Sequence, residues 1–318
     1  GIRDPELSLG SEMCIRDSWS SPEPSISMAK DELASLPDRP YLAFMTLPLD
    51  EPGPAVTRPI RIGRFNTAGF LTLYQRETKR FLKILGQTVA APMMTAVLFM
   101  AVFAVAIGDR LDSEAGVNYI VFIGPGLVMM AALQNAFANT STALVVSKVQ
   151  GNVVDYLTPP LGPLEVILAM TGGGITRGVV VGVSAAFALA LLGSAGWPVN
   201  PFLALVFLVL GSAVMALAGI LTGIWAEKFD GLSAVTNFVV QPMVFLSGTF
   251  YTIERLPAPI DSIAAFNPVF HMIDGYRYGT IGVASFPPLY GIAVLVVLTL
   301  ILGVVCWWVL RQGYKLKA

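Results

Sequence analysis

"FLALVFLVLGSAVMALAGILTGIW", residues 202–225, contains no charged side chain. Wound as an α-helix at 1.5 Å per residue it reaches about 36 Å, enough to cross the roughly 30 Å hydrocarbon core of a bilayer. Five further segments are long and apolar enough for the same reading: 88–107, 117–140, 163–192, 232–251 and 289–310. The fold class that follows is an all-α integral membrane protein with six transmembrane helices. Composition agrees, since 55% of the 318 residues are hydrophobic and 13% are charged, against about a quarter charged in soluble domains. Nucleic acid is not an expected partner; the lipid bilayer is.

Positive residues orient the spans. Arg76, Lys79, Arg80 and Lys83 precede the first, Arg311, Lys315 and Lys317 follow the last, and Lys148 and Lys228 fall in loops that an even span count puts on the same side. The positive-inside rule then makes both termini cytoplasmic in a multi-pass membrane protein. The stretch 66–86 carries Phe70, Leu73, Tyr74, Phe81 and Ile84 mainly on one stripe with basic residues around it, behind a possible Asn66 or Thr67 cap. It reads as an amphipathic interfacial helix.

Residues 1–65 read as a disordered N-terminal tail. From Ser20 to Arg64 proline and acidic residues recur, and too little apolar surface is available to offset the entropy of ordering. The first twenty or so residues hold no apolar core of signal-peptide length and need not be native coding sequence. The rest, 66–318, is expected to form a single six-span domain.

Between the fifth and sixth spans lies an outer connection, 252–288, too long for a hairpin and too apolar for a solvated loop. Within it, "FNPVFHMIDGYRYG" (266–279) holds the only histidine of the chain. Asn267 as cap and Pro268 at the first helical position start a helix that Gly279 or Gly282 can end. With a shorter helix at 258–266, the connection is expected to form re-entrant helices over 258–282, whose backbone is hydrogen-bonded internally. His271, Asp274 and Arg277 would share a helix face. That constellation reads chiefly as structural, with Asp274 and Arg277 pairing or hydrogen-bonding neighbouring helix ends. Tyr276, Tyr278 and Phe286 are expected in an interfacial aromatic belt.

Several absences bear on mechanism. The chain has no Gly-x-x-x-x-Gly-Lys-Ser/Thr phosphate loop, no Cys-x-x-Cys pair for a metal, and no Asp or Glu in mid-span as an ion-coupled carrier would carry. No catalytic residue and no metal ligand is assigned. "GPG" at Gly124 and "GGG" at Gly172–Gly174 read as close helix packing. One intramembrane charge stands out, Arg177. The 163–192 segment exceeds the membrane thickness, so the favoured expectation is that Arg177 snorkels to the inner head groups, with a role facing a transport path as the alternative. The inner loop after the second span contains a short amphipathic stretch, 147–157, with Val149, Val153, Val154 and Leu157 near one side, closed by Thr158, Pro159 and Pro160. That pattern suits a helix that docks on a partner.

Together, "LYQRETKRF", "SKVQGNVVDYLTPPL", "GGGITRG", "LSGTFYTIERLP" and "FNPVFHMIDGYRYG" resemble the membrane subunits of ATP-binding-cassette (ABC) exporters of the type-2 permease family, over roughly residues 69–317. The resemblance implies a permease subunit in the inner membrane, without chemistry of its own. It would form a substrate path with a second permease copy and be driven by a separate ABC ATPase subunit that binds ATP and Mg. It implies that 147–157 is the coupling helix, with Ser147, Lys148, Gln150, Gly151, Val153, Asp155 and Leu157, joined by Arg76, Glu77 and Arg80, at the ATPase contact. It places Asn267, Pro268, His271, Asp274, Arg277 and Tyr278 in an outer gate. Two other readings of the chain are a membrane enzyme acting on a lipid head group through His271 and Asp274, and an ion-coupled carrier.

Overall fold

The computed structural model describes residues 65–107, 117–152, 160–193, 197–251 and 266–313. The expected tail, the loop residues Val153, Asp155 and Leu157, and nearly all of the short helix expected at 258–266 lie outside the described residues. The regular elements of the described residues are all helices, in the order α1 (Thr67–Leu82), α2 (Leu85–Ile107), α3 (Tyr119–Val149), α4 (Pro163–Leu191), α5 (Pro201–Trp225), α6 (Phe229–Val235), a π turn (Thr236–Val240), α7 (Gln241–Phe245), α8 (Pro268–Ile281) and α9 (Pro288–Gln312).

Their starts are local chemistry. Asn66, Asn118, Asn200 and Asn267 each accept a backbone N–H in the first turn of α1, α3, α5 and α8. Pro201 and Pro268 occupy first-turn positions where a missing N–H costs nothing.

Among the described residues five helices are long and apolar enough to cross a membrane: Leu85–Ala106, α3, α4, α5 and α9. The segment expected as the fifth span of six, 232–251, is built otherwise. Helix runs from Phe229 to Phe245 in three pieces, and Leu246 ends it. Pro242 is the cause: it has no N–H for the Phe238 carbonyl, and its ring crowds that carbonyl. The turn before it widens, so that the Gln241 amide bonds the Thr236 carbonyl five residues back.

The buried centre is the packing of α3, α4 and α5, with α2 and α9 outside it and largely exposed. Small residues bring these axes together. A Cβ on Gly178 of α4 would stand 2.5 Å from the Ser212 Oγ of α5, and one on Gly174 would stand 2.6 Å from the Ala216 Cβ. Further along the same stripe of α5, a Cβ at Gly219 would lie 2.5 Å from the Phe137 carbonyl oxygen of α3. In lipid no hydrophobic effect drives helices together, so such close approach supplies the packing energy. The Gly172–Gly174 run lets α1 and α5 approach α4 in this way, since Gly172 faces Tyr74, Gly173 faces Glu77 and Gly174 faces Ala216 of α5.

α8 packs against α5, where a Cβ on Gly275 would run into the Phe207 ring at 2.1 Å. Gly282, at φ +77°, ends the helix in the left-handed conformation that glycine adopts without penalty.

Candidate functional site

Polar side chains of the described residues concentrate in three places. The first ties the start of α1 to that of α4 and, separately, the end of α3 to that of α5. The Asn66 amide donates to Glu165 Oε1, its Nδ2 donates to the Pro160 carbonyl at 3.3 Å, and the Gly162 amide donates to Glu165 Oε2 at 2.7 Å. Glu165 thus sits in the first turn of α4, where a negative charge suits the helix dipole, and ties α1 to it. Lys148 reaches from the last turn of α3 to the carbonyls that α5 leaves unpaired at its C-terminus, donating to Ile224 and, at 3.1 Å, to Ala226.

This arrangement corrects the extent of the expected coupling helix. Ser147, Lys148 and Val149 belong to the last turn of α3, Gln150 is its C-cap, and Gly151 at φ +73° stops it. The helix runs nine residues beyond Thr140 because polar side chains there are satisfied locally: the hydroxyls of Ser141, Thr142 and Ser147 donate back to carbonyls four residues earlier. Gln150, Gly151 and Asn152 are exposed, whereas Ser147 is buried.

The second concentration begins on α1. Leu73, Glu77 and Phe81, four residues apart, form its buried stripe. Glu77 is 1% exposed and meets Arg80 at 2.9 Å. The sequence reading put Glu77 and Arg80 at the ATPase contact together with Arg76; the fold buries Glu77 and leaves Arg80 partly exposed. Arg80 donates to the Asn139 carbonyl on α3 at 2.6 Å, while Arg76, Lys79 and Lys83 are exposed. The neighbouring Tyr74 hydroxyl lies 2.8 Å from the Thr176 hydroxyl of α4.

One turn along α3 from Asn139, Asn135 Oδ1 accepts a 3.0 Å bond from Arg177 Nη2. Arg177 is the midpoint of α4, and Asn135 is close to the midpoint of α3. A helix of this length measures about 42 Å, which leaves its centre about 20 Å from either end. Arg177 lies against α3, one turn from the residues of α4 that meet Tyr74 and Glu77 of α1. The adjacent Gln134 Nε2 donates to Gln241 Oε1 at 3.0 Å. A cleft of about 260 Å³ opens between α2 and α3; Pro92, Ala96, Phe99 and Leu127 are among its walls, and Gln134 and Asn135 supply its amide side chains. These amides were missed in the sequence, although "LQNAFANTST" (133–142) signals them: amide side chains inside an otherwise apolar span are costly unless used.

The third concentration is α8. Asn267 caps it and donates Nδ2 to the Met243 carbonyl at 2.6 Å. His271, Asp274 and Arg277 are each at most 5% exposed and go to different partners. The Asp274 carboxylate accepts the amides of Ser285 and Phe286 at 2.9–3.1 Å, just ahead of α9. Arg277 donates to the Gly248 carbonyl at 2.7 Å and lies 4.0 Å over the Phe122 ring. His271 is ringed by Phe270, Phe286 and Tyr290, with centroids 5.5–5.6 Å away. Of the two structural roles expected for Asp274, capping backbone amides is the one adopted. Tyr276 is buried at 6% exposure and not in a belt, while Tyr278 is half-buried. Burial raises the Asp274 carboxyl above its ordinary value of 3.8, with the two amides, Arg277 and His271 acting in the opposite direction.

Comparison with known proteins bears directly on this architecture. Residues 68–281 match the family described as "ABC-2 type transporter". The chain is 34% identical over 249 residues to the inner membrane transport permease YadH of Escherichia coli K12, covering 78% of this chain and 96% of that one. It is 23% identical over 215 residues to nodulation protein J of Rhizobium leguminosarum bv. viciae, covering 67% of this chain and 82% of that one.

Proposed function

Starting from the fact that the chain belongs to the ABC-2 type transporter family and is a membrane permease subunit of an ABC transporter, we propose that it forms half of an export path. Two copies would enclose the path, and a separate ATPase subunit would bind ATP and Mg and drive it. This multi-pass inner-membrane protein has both termini cytoplasmic in this reading. The Phe229–Phe245 helix completes six spans, α1 lies along the inner face with Arg76, Lys79 and Lys83 outward, and the 252–288 connection is an outer gate holding Asn267, Pro268, His271, Asp274, Arg277 and Tyr278.

The observation that carries the reading is how firmly the inner ends are joined. The loop following Val149 is anchored on one side by Lys148, bonded to the end of α5, and on the other by Pro160, bonded to Asn66 ahead of α1. A force applied to that loop moves α1, α3, α4 and α5 together. A partner ATPase needs such a handle, because nucleotide-driven closure reaches the spans only by contact.

The test is Val153→Asp. An unpaired carboxylate in a buried interface costs several kcal/mol, so the variant should insert normally yet fail to co-purify with the ATPase and fail to transport. Undiminished association and transport would remove 147–157 from the coupling role. In the same cells, an impermeant thiol reagent should label Trp197→Cys and spare Gln150→Cys; the opposite pattern would invert the topology.

A further inference from the structure

We propose that the exposed cationic stripe of α1 binds the head groups of anionic phospholipids in the leaflet it faces, with Arg76, Lys79 and Lys83 supplying the charge. The partner is the lipid surface and not the cargo. The proposal rests on the membrane reading of the chain and is independent of coupling to an ATPase.

The stripe is set by spacing. At about 100° per residue, Arg76, Lys79 and Lys83 fall within about 60° of one another, on the side of α1 away from Leu73, Glu77 and Phe81. All three are exposed. From Thr67 to Lys83 the chain holds four cations and one carboxylate. That carboxylate, Glu77, is buried beside Gly173 of α4 and meets Arg80 at 2.9 Å. No exposed residue of α1 is acidic, so the outward charge is positive along its length.

An apolar edge runs between the stripe and the buried side. Leu71 and Leu82, about three turns apart on one line of α1, are 50% and 44% exposed. Basic residues bordered by exposed leucines are what a helix presents when it lies at the boundary of head groups and acyl chains.

The depth of α1 follows from its packing. Leu73 shares a cluster with Ala143 and Leu144 near the end of α3, Ile224 at the end of α5 and Cys306 near the end of α9. The same end of the bundle carries exposed tryptophans, Trp225 closing α5 and Trp307 and Trp308 in the last two turns of α9, with Arg311 lying 5.0 Å over the Trp307 ring. Tryptophan favours the membrane–water interface, which puts α1 at head-group depth. Lys83 also stands just ahead of α2, whose 23 residues of helix measure about 34 Å, close to the hydrocarbon thickness. Its ammonium therefore sits where the hydrocarbon begins. An anionic phosphodiester accepts from such cations while Leu71 and Leu82 meet the chains below it. A zwitterionic head group carries its own cation and gains less.

The experiment places the purified full-length chain in phosphatidylcholine nanodiscs holding a trace of spin-labelled phosphatidylglycerol or spin-labelled phosphatidylcholine. Wild type should immobilise the anionic probe about fivefold more, the factor for one cation at an anionic surface, and high salt should reduce that preference. The combined Arg76→Gln, Lys79→Gln and Lys83→Gln variant should lose it, whereas Lys79→Arg with Lys83→Arg should keep it. Arg311→Gln, at the same end of the bundle but off α1, should keep it too. Equal immobilisation of the two probes by wild type overturns the proposal, as does a preference that survives the triple replacement or disappears in Arg311→Gln. If the triple variant fails to fold, Lys83→Gln alone should lower the preference, and an unchanged value overturns the assignment. These arms need no ATPase and both leaflets of a nanodisc hold the probe, so neither the coupling reading nor the topology enters. Adding the partner ATPase separates lipid from protein as the occupant. The preference should persist once the ATPase is bound; its loss on binding would assign the stripe to the ATPase and overturn the lipid assignment.

Discussion

The Arg277 guanidinium donates to the carbonyl of Gly248, 29 residues earlier, at 2.7 Å. Gly248 follows the end of α7 in the left-handed conformation, φ +72°, and Arg277 is 2% exposed. The bond therefore fastens α8 to the turn that closes the broken helix before it. Replacing Arg277 with Met removes a charged donor and leaves a buried carbonyl unpaired, at about 1.5–3 kcal/mol. The expected outcome is a lower unfolding temperature in detergent and faster proteolysis between α7 and α8. Unchanged resistance in both measurements would show that the bond does not hold this turn.

Asp274 makes the stability of the same region depend on pH. Its folded-state carboxyl is raised from 3.8, burial being the main cause, so the folded protein holds this proton more tightly than the unfolded chain does. The contribution is fully present below 3.8 and is lost as pH rises through the raised folded value. Asp274→Asn should abolish that part of the slope in a pH series of thermal unfolding. An identical slope in the variant would assign the pH dependence to other groups.

Gly219 tests the close packing of α3 on α5. A Cβ there meets the Thr140 Oγ1 at 2.2 Å and backbone at 2.5 Å, so no side-chain rotation relieves it. Gly219→Val should prevent stable insertion or cost more than about 3 kcal/mol by overpacking. Gly86 of α2 has open space around it, and Gly86→Ala should be neutral or stabilise by about 0.5–1 kcal/mol through helix propensity. Equal behaviour of the two variants would show that the approach distance at Gly219 does not limit the fold.

What the sequence determined by itself was whatever depends on neighbouring residues and on the thickness of a bilayer. Uncharged runs such as 202–225 had to be helices of membrane length, because no other single segment satisfies its own backbone hydrogen bonds in lipid. Asn267 with Pro268, and Gly282, set the limits of α8 for equally local reasons. Tertiary structure decided where the charges go. Leu73, Glu77 and Phe81 share a stripe by spacing alone, yet only the glycines of α4 make room for Glu77 to turn inward. Arg177 meets Asn135 because α3 and α4 approach closely along their middles. The choice between those outcomes is a difference in burial and pairing between residues far apart in the chain, and a periodic pattern carries no information about the partner's identity.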